Sequence, residues 1–256
     1  MNFAESDYAE IFGPYAGKTV GYLRLYGNWG DQLIELGAMQ LFKKFKIEVK
    51  VLNPQLEKID HSLLTGVKTV FISGGGSLGK KYKPIYEQRR SLCSTFDGEI
   101  IVLPQSLTDE DDDNKYTHAW LREETSYNLY KNGPKGLCHD LAFHVNLDSF
   151  KTQKSIYKTG ILCREDSESN GSSPLNLGDP VRLSRSLDEY IRLASCFDNI
   201  LTDRLHFAII AAKLGKSVSL ISGNYHKING IYNHSMKGFS NVEFFTSTSE
   251  AILRAK

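Results

Sequence analysis

Short apolar runs alternate with amphipathic stretches along the first half of the chain. The runs are rich in β-branched residues and have the length of strands, whereas the stretches have the apolar spacing of helices. Runs that are apolar on both faces are typical of parallel strands covered by helices. The pattern therefore predicts a Rossmann-like fold with, in chain order, a strand at 19–25, a helix at 32–45, strands at 47–52 and 69–72, a helix at 86–96 and a strand at 100–103.

A polar stretch at 146–158 separates this half from a second α/β series. We place a domain boundary there, which gives an N-terminal Rossmann-like domain at 1–147 and a C-terminal Rossmann-like domain at 148–256. The sequence predicts two stacked α/β units with a cleft between them. The predicted elements of the second unit are a strand at 159–163, a helix at 186–194, a strand at 199–201, a helix at 205–214, a strand at 217–221 and a helix near 249–254.

Two polar segments interrupt these series, an acidic run at 109–114 and a serine-rich run at 167–174. Acidic runs are usually solvated loops, and this is the prediction for both segments. The alternative is a calcium site, although the residue spacing of an EF-hand is absent.

Composition and charge narrow the possible partners. The 256 residues are 41% hydrophobic, which is enough to bury one large core or two ordinary ones. With 31 Lys and Arg against 30 Asp and Glu, the chain lacks the global positive field that attracts nucleic acid, so no nucleic-acid partner is expected. No apolar stretch has the length of a membrane span, and the N-terminal residues lack a secretory pattern. We expect a cytoplasmic protein that would meet a lipid-linked partner only by peripheral membrane contact.

The four cysteines are widely separated, and none has the spacing of a zinc ligand. Cys163 and Cys196 lie inside apolar runs, which favours core positions and a reducing compartment. No metal site is predicted.

The turn between the first predicted strand and helix carries the motif Gly-Asn-Trp-Gly-Asp at 27–31. Such a turn presents backbone N–H groups at a helix N-terminus, where an anion or a hydroxyl-rich ligand is favoured. Asn28 and Asp31 are therefore candidate binding residues. The alternative is that Asp31 caps the helix, and both interpretations can hold together.

A glycine-rich segment at 73–79 follows the strand at 69–72. Adjacent glycines let a backbone approach a ligand or another loop closely. The spacing is neither that of a dinucleotide fingerprint nor that of a P-loop. We interpret Gly75, Gly76 and Ser77 as part of the wall of the cleft.

Gln105 and Ser106 follow the strand at 100–103. The carboxyl edge of a parallel sheet usually meets the ligand, so these two side chains could read sugar hydroxyls. An ordinary polar strand exit is the alternative.

Three cations and a histidine follow the strands of the second half, namely Arg164, Arg204, His206 and Lys227. Because the carboxyl ends of parallel strands lie on one edge of a sheet, these groups are expected to converge.

Each of these residues also has a structural explanation. Arg164 could pair with Glu165 or Asp166, and Arg204 could pair with Asp203. His206 could be an ordinary histidine at a helix start.

These motifs and their order make the sequence similar to the polysaccharide pyruvyl transferase family. The likeness spans roughly residues 18–235. It rests on Gly-Asn-Trp-Gly-Asp (27–31), Ile-Ser-Gly-Gly-Gly-Ser-Leu (72–78), Leu-Pro-Gln-Ser (103–106), Arg-Glu-Glu-Thr-Ser (122–126), Arg164, Thr-Asp-Arg-Leu-His (202–206) and Asn-Tyr-His-Lys (224–227).

The resemblance implies a GT-B-type architecture, with the acceptor served by the N-terminal domain and the donor by the C-terminal domain. It implies phosphoenolpyruvate as donor and co-substrate, no cofactor, and a sugar or lipid-linked saccharide as acceptor. The product would be a pyruvate ketal bridging two hydroxyls of the sugar. By the same resemblance, Arg164, Arg204 and His206 serve the donor. Lys227 and Arg122 are carried over as well, with loop positioning or acceptor binding as their alternative roles.

The chemistry of the donor suits these residue types. Phosphoenolpyruvate carries a carboxylate and a phosphate close together, and guanidinium groups bind such oxygens as forks. Ketal formation also requires proton transfers, and histidine titrates in the useful range.

Two further functions stay open at this point. A GT-B glycosyltransferase would use a nucleotide sugar and would need a carboxylate for the ribose, which Asp188 or Glu189 could supply. A non-catalytic carbohydrate-binding member of the fold would bind sugar without releasing phosphate.

Overall fold

The computed structural model of the protein describes residues 3–25, 27–52, 61–108, 112–169 and 173–254. The chain divides into two compact units. The N-terminal unit comprises Phe3–Gly27 and Ile34–Val145, and the C-terminal unit comprises Asn28–Leu33 and Asn146–Lys256. Each unit contains a parallel sheet with helices, so the predicted α/β class is confirmed.

The N-terminal unit is built on a parallel sheet of seven strands. Their order is β2-β1-β3-β5-β6-β7, and β4 pairs with β5 beside this path. Strand β3 is buried along its whole length, and β5 is buried beyond its first residue, as their uninterrupted apolar runs predict. The strands are β1 (Thr19–Leu23), β2 (Glu48–Leu52), β3 (Thr69–Ile72), β4 (Gly75–Leu78), β5 (Glu99–Leu107), β6 (His118–Leu121) and β7 (Lys135–Leu137).

Four helices accompany this sheet, and short 3₁₀ turns flank them. Helix α2 carries apolar residues on one face, and the ring of its Phe42 packs edge-on against Phe71 of β3, with the ring centroids 5.3 Å apart. Helix α3 has a proline in its first turn, where the missing N–H costs nothing. The helices are α1 (Ala9–Phe12), α2 (Trp29–Lys44), α3 (Lys83–Thr95) and α4 (Glu124–Leu129).

The C-terminal unit is built on four parallel strands in the order β11-β10-β9-β8. Helix α7 is apolar on almost every face, which explains its nearly complete burial. The elements are β8 (Tyr157–Ile161), α5 (Pro180–Leu183), α6 (Leu187–Ser195), β9 (Phe197–Thr202), α7 (Leu205–Lys213), β10 (Ser217–Ile221), α8 (Lys227–Ile231), β11 (Val242–Phe245) and α9 (Thr248–Arg254).

The twelve predicted elements are present, with shifts at their ends. Helix α2 begins at Trp29 rather than at residue 32, and β5 runs four residues beyond the predicted end at 103. The sequence patterns did not reveal α1, α4, α5, α8, β4, β6, β7 or β11. Among the described residues, no helix combines the length and the apolar character that crossing a bilayer would need.

The acidic run at 109–114 is not simply a solvated loop. Residues 109–111 lie outside the described residues, but Asp112 is 1% exposed and Asn114 is 5% exposed. The prediction is wrong for these two residues because the fully buried Arg89 needs a counter-charge, and its Nη2 lies 3.2 Å from Asp112 Oδ2.

The buried Arg89 also fixes the glycine-rich segment. Its guanidinium donates to the Ser77 carbonyl at 3.0 Å and to the Gly79 carbonyl at 2.8 Å. The Gly79 N–H in turn donates to Asp112 Oδ2 at 3.1 Å. The ion pair of Arg89 and Asp112 thus provides hydrogen-bond partners for backbone groups of the glycine-rich segment.

The second polar segment, at 167–174, likewise departs from the prediction at one residue. Glu168 is buried, whereas 170–172 lie outside the described residues. The burial of Glu168 is possible because this carboxylate forms ion pairs with two cations of the C-terminal unit. The cysteines fit their expected positions in part, since Cys163 is buried and Cys196 is half-buried.

Candidate active site

The carboxyl ends of β8, β9 and β10 bring three cations of the C-terminal unit together. Arg164 follows β8, Arg204 lies between β9 and α7, and Lys227 begins α8 after β10. Because these strands are parallel neighbours, their carboxyl ends share one edge. The convergence predicted for the three residues is visible in the carboxylates that they share.

Asp166 joins the two arginines. Its Oδ1 accepts from Arg164 Nε at 2.8 Å, and its Oδ2 accepts from Arg164 Nη2 at 3.1 Å. The same Oδ2 accepts from Arg204 Nη2 at 2.7 Å. Partial burial opposes the charge of Asp166, but the hydrogen bond from Arg164 and the other interactions outweigh it and lower the pKa of this carboxyl.

Two further carboxylates complete the set. Asp179 accepts from Arg204 Nε at 3.0 Å and also from its Nη2. Glu168 accepts from Arg164 Nη1 at 2.6 Å and from Lys227 Nζ at 2.9 Å. Burial disfavours the charge of Arg204, yet the hydrogen bonds that Arg204 donates to Asp179 prevail and raise the pKa of the guanidinium. Three cations therefore face three carboxylates.

A fourth carboxyl group, Asp203, lies at the end of β9. Its Oδ1 accepts from the backbone N–H of Arg164 at 2.7 Å. Burial raises the pKa of Asp203 from its ordinary 3.8 to about 6. Asp203 therefore carries a carboxyl that titrates near neutral pH beside the two arginines.

The structural alternatives for the arginines are partly realised. Arg164 pairs with Asp166, whereas Glu165 pairs with the exposed Arg182. Arg204 pairs with Asp166 and Asp179 rather than with Asp203.

Sequence reasoning missed Asp179 and Glu168. Asp179 precedes Pro180 and accepts from the N–H of Val181, so it caps α5. An aspartate followed by proline is a recognisable helix start, and it would have placed this carboxylate. Glu168 offered no such signal. Across the described residues, no group of three His, Cys, Asp or Glu side chains is arranged to hold a metal ion.

His206 lies in the first turn of α7. Every other residue of this helix except its last, Lys213, is buried, whereas His206 is only partly so. Its ring lies directly against the backbone of Gly30. A Cβ added at Gly30 would lie 2.4 Å from His206 Nδ1 and 2.9 Å from its Cγ.

The motif at 27–31 forms the start of α2. Asn28 Oδ1 accepts from the Gly30 N–H at 2.8 Å, and Asp31 Oδ2 accepts from the Asn28 N–H at 2.8 Å. Asn28 therefore holds the cap position of α2, whereas Asp31, which was predicted as the cap, lies in the first turn and accepts from the N–H of the cap residue. Trp29 Nε1 donates to the carbonyls of Val181 and Ser184 at 3.0 and 3.1 Å.

The candidates of the N-terminal unit form a separate group. Gly75, Gly76 and Ser77 belong to the short strand β4. Gln105 is fully buried and bridges this segment, because its Oε1 accepts from the Ser77 N–H at 3.0 Å. Its Nε2 donates to the Ser73 carbonyl at 2.7 Å.

Ser106 and Arg122 are also buried and bonded to each other. Arg122 Nε donates to Ser106 Oγ at 2.9 Å, and its Nη1 pairs with Asp140, which is fully buried. These interactions connect the carboxyl end of β5 to neighbouring segments of the N-terminal unit. Their assignment to acceptor recognition stays a prediction.

Comparison with known proteins assigns the chain to a family. The family model "Polysaccharide pyruvyl transferase" matches residues 28–225, which is more than half of the chain. The chain therefore belongs to the polysaccharide pyruvyl transferase family, and the predicted resemblance is confirmed. It is 25% identical over 288 residues to "Putative pyruvyl transferase EpsO" of Bacillus subtilis (strain 168), a match that covers 88% of this chain and 87% of EpsO.

A solved structure shares the fold. It is the crystal structure of an uncharacterized protein, KP1_0663, from Klebsiella pneumoniae, with a TM-score of 0.72 and 20% sequence identity. The match covers 96% of this chain and 100% of that chain. This likeness concerns the fold alone.

Proposed function

We propose that the protein transfers the pyruvyl unit of phosphoenolpyruvate onto two hydroxyls of one sugar in a polysaccharide or its precursor. The enol CH₂ takes up a proton, and the first hydroxyl adds to the central carbon as its O–H proton leaves. The C–O bond to phosphate breaks, and the second hydroxyl closes the ketal. The two hydroxyls lose two protons in total, which equals the one proton gained by the new methyl group and the one gained by the phosphate as it becomes hydrogen phosphate.

The observation that carries the proposal is the cluster of Arg164, Arg204 and Lys227 at neighbouring strand ends in a chain of this family. A donor with a carboxylate and a phosphate close together requires compact positive charge. Two guanidinium groups supply fork-shaped donors for both anions, and a lysine adds a point charge. The start of α7 adds backbone N–H groups beside Arg204.

His206 is the proposed proton-transfer group. It lies two residues from Arg204 and is the partly exposed side chain in the first turn of α7. A positioned imidazole of this kind can give a proton to the enol carbon or take one from a hydroxyl. Asp203, whose pKa is raised by burial to about 6, is a second candidate for proton transfer.

The remaining assignments form part of the same proposal. The N-terminal unit would contact the acceptor through the segment of Gly75, Gly76 and Ser77, with Asn28 and Asp31 contributing from the start of α2. The buried Gln105, Ser106 and Arg122 would hold that part of the unit in place. The GT-B-type pairing of the two domains, the cytoplasmic location, and a lipid-linked acceptor are proposed on the resemblance. We propose turnover without a metal or an organic cofactor, which chelator-treated enzyme would test.

Phosphate release from phosphoenolpyruvate, measured across a panel of sugar acceptors, tests the proposal. We expect acceptor-dependent release, and we expect His206→Ala to lower kcat by roughly 10²–10⁴-fold with a smaller change in donor affinity. Thermal melts with phosphoenolpyruvate and with nucleotide sugars provide the contrast. If a nucleotide sugar raises the melting temperature and phosphoenolpyruvate does not, the proposed donor is wrong and a nucleotide sugar takes its place.

A further inference from the structure

The carboxylate of Asp166 fills the position between the two arginines. It makes two hydrogen bonds to Arg164, at 2.8 and 3.1 Å, and one to Arg204, at 2.7 Å. This is the fork-shaped arrangement in which arginines bind the carboxylate or phosphate of a ligand. An anionic ligand that occupies the position between the two guanidinium groups must displace this carboxylate.

The three carboxylates of this cluster differ in exposure. The Asp166 side chain is 38% exposed, whereas that of Asp179 is 2% exposed and that of Glu168 is 9% exposed. A buried carboxylate that loses its partner pays a large desolvation cost, but an exposed one exchanges its partner for water cheaply. Asp166 is therefore the carboxylate that can leave while the other two keep the arginines in place.

We propose that Asp166 is an internal competitor of the donor: its carboxylate holds Arg164 and Arg204 together in the free protein and is displaced by the donor's anion. The inference rests on the proposed function, because that function makes the two arginines the donor site.

The competitor sets a threshold for ligands. Displacing Asp166 removes one negative charge from the two arginines, so a ligand gains only if it brings more charge or more hydrogen bonds than one carboxylate. Phosphoenolpyruvate brings two anionic groups and passes this threshold. A monocarboxylate ligand only exchanges the Asp166 carboxylate for another carboxylate and gains little binding energy. Asp166 therefore favours the binding of polyanions over that of monocarboxylates.

Asp166→Asn tests the proposal while keeping the local turn. Asp166 Oδ1 accepts from the Glu168 N–H at 3.0 Å, and the amide oxygen of asparagine can still accept that bond. The matched control is Glu165→Gln, which removes one charge from the adjacent residue. Glu165 pairs with Arg182, and both side chains are exposed, so the arginines of the site keep their partners.

Isothermal titration with phosphoenolpyruvate, and separately with inorganic phosphate, gives the readout. We expect Asp166→Asn to bind phosphoenolpyruvate roughly 5- to 30-fold tighter than wild type, because the displaced bonds involve charged groups at a half-exposed position. Glu165→Gln should stay within about twofold, as expected for a surface charge. The unfolding temperature of Asp166→Asn shows that the variant is folded.

Three results would overturn the proposal. Unchanged or weaker binding by Asp166→Asn would show that Asp166 assists the donor, and an equal gain in both variants would reveal only long-range charge. The identity of the donor is tested separately from the role of Asp166. If Asp166→Asn binds inorganic phosphate more tightly than wild type while phosphoenolpyruvate binds neither protein, the proposed donor is wrong but the role of Asp166 as a competitor is supported. If neither anion binds either protein, both are wrong.

Discussion

Gly30 lies so close to His206 that a single methyl group tests the position of the imidazole. A Cβ at residue 30 would lie 2.4 Å from Nδ1, and ordinary contact begins at about 3.4 Å, so the ring must move by roughly 1 Å. The same Cβ would lie 3.0 Å from Asn28 Oδ1, which leaves it little room to turn away from the ring. Gly30→Ala therefore displaces His206 or the start of α2.

The expected effect on the rate is large and the expected effect on stability is small. A misplacement of about 1 Å at a reacting group can cost about 10²-fold in rate, and we expect this loss in kcat for Gly30→Ala. Residue 30 is helical, so alanine gains about 0.5–1 kcal/mol of helix propensity, which offsets part of the strain. The variant should remain folded.

A double-mutant cycle identifies the path of the effect. Phosphate release from phosphoenolpyruvate is measured for wild type, Gly30→Ala, His206→Ala and the double variant. If Gly30 acts by positioning His206, adding Gly30→Ala to His206→Ala should change the rate by less than about twofold. Gly238→Ala is the control, because nothing lies within 4 Å of the added Cβ there.

Two outcomes refute the reasoning. Wild-type turnover in Gly30→Ala would mean that the imidazole either tolerates the shift or takes no part in the chemistry. Equal losses in both backgrounds would show that the methyl group acts through another neighbour, such as the Asn28 side chain.

Three further predictions concern charged groups. Because burial raises the pKa of Asp203 to about 6, ionisation of this carboxyl between about pH 4 and pH 6 lowers the free energy of unfolding of the wild type. Asp203→Asn lacks this loss, so its stability relative to wild type should rise by roughly 2–4 kcal/mol across that window and no further above it. Urea titrations at several pH values measure the difference. Arg204→Lys keeps a cation beside the buried Asp179 but cannot span two carboxylates, so it should remain folded and bind the donor about tenfold more weakly or worse by calorimetry. Asp112→Ala leaves the fully buried Arg89 without its counter-charge and should cost about 3–5 kcal/mol of unfolding free energy, read by urea denaturation.

Much of the fold could be predicted because apolar runs of strand length are a strong local signal. Strand β3 has the predicted bounds, since all four of its residues are buried on a two-faced apolar strand. Strand β5 runs on through Gln105 and Ser106 because internal hydrogen bonds satisfy these polar side chains. Strand β4 is glycine-rich and is held by pairing with β5, which no local pattern can show.

The sequence placed the cations of the candidate site and one of its anions, Asp166, but not Asp179 or Glu168. Strand ends are readable from sequence, so Arg164, Arg204 and Lys227 could be placed on one edge. Their partners come from connecting segments whose course depends on tertiary packing. The burial of Glu168 and Asp112 inside polar runs shows the same limit, because counter-charges 59 and 23 residues away, at Lys227 and Arg89, help to decide which acidic residue is buried.

The indole of Trp29 provides a natural optical reporter. The chain has two tryptophans, and the other, Trp120, is buried in the N-terminal unit beside His118. Trp29 donates to carbonyls at the end of α5, the short helix that Asp179 caps while binding Arg204. A shift of Arg204 would therefore reach the indole through this helix. In a Trp120→Phe background, the emission of Trp29 should follow occupancy of the arginine pair without any attached dye.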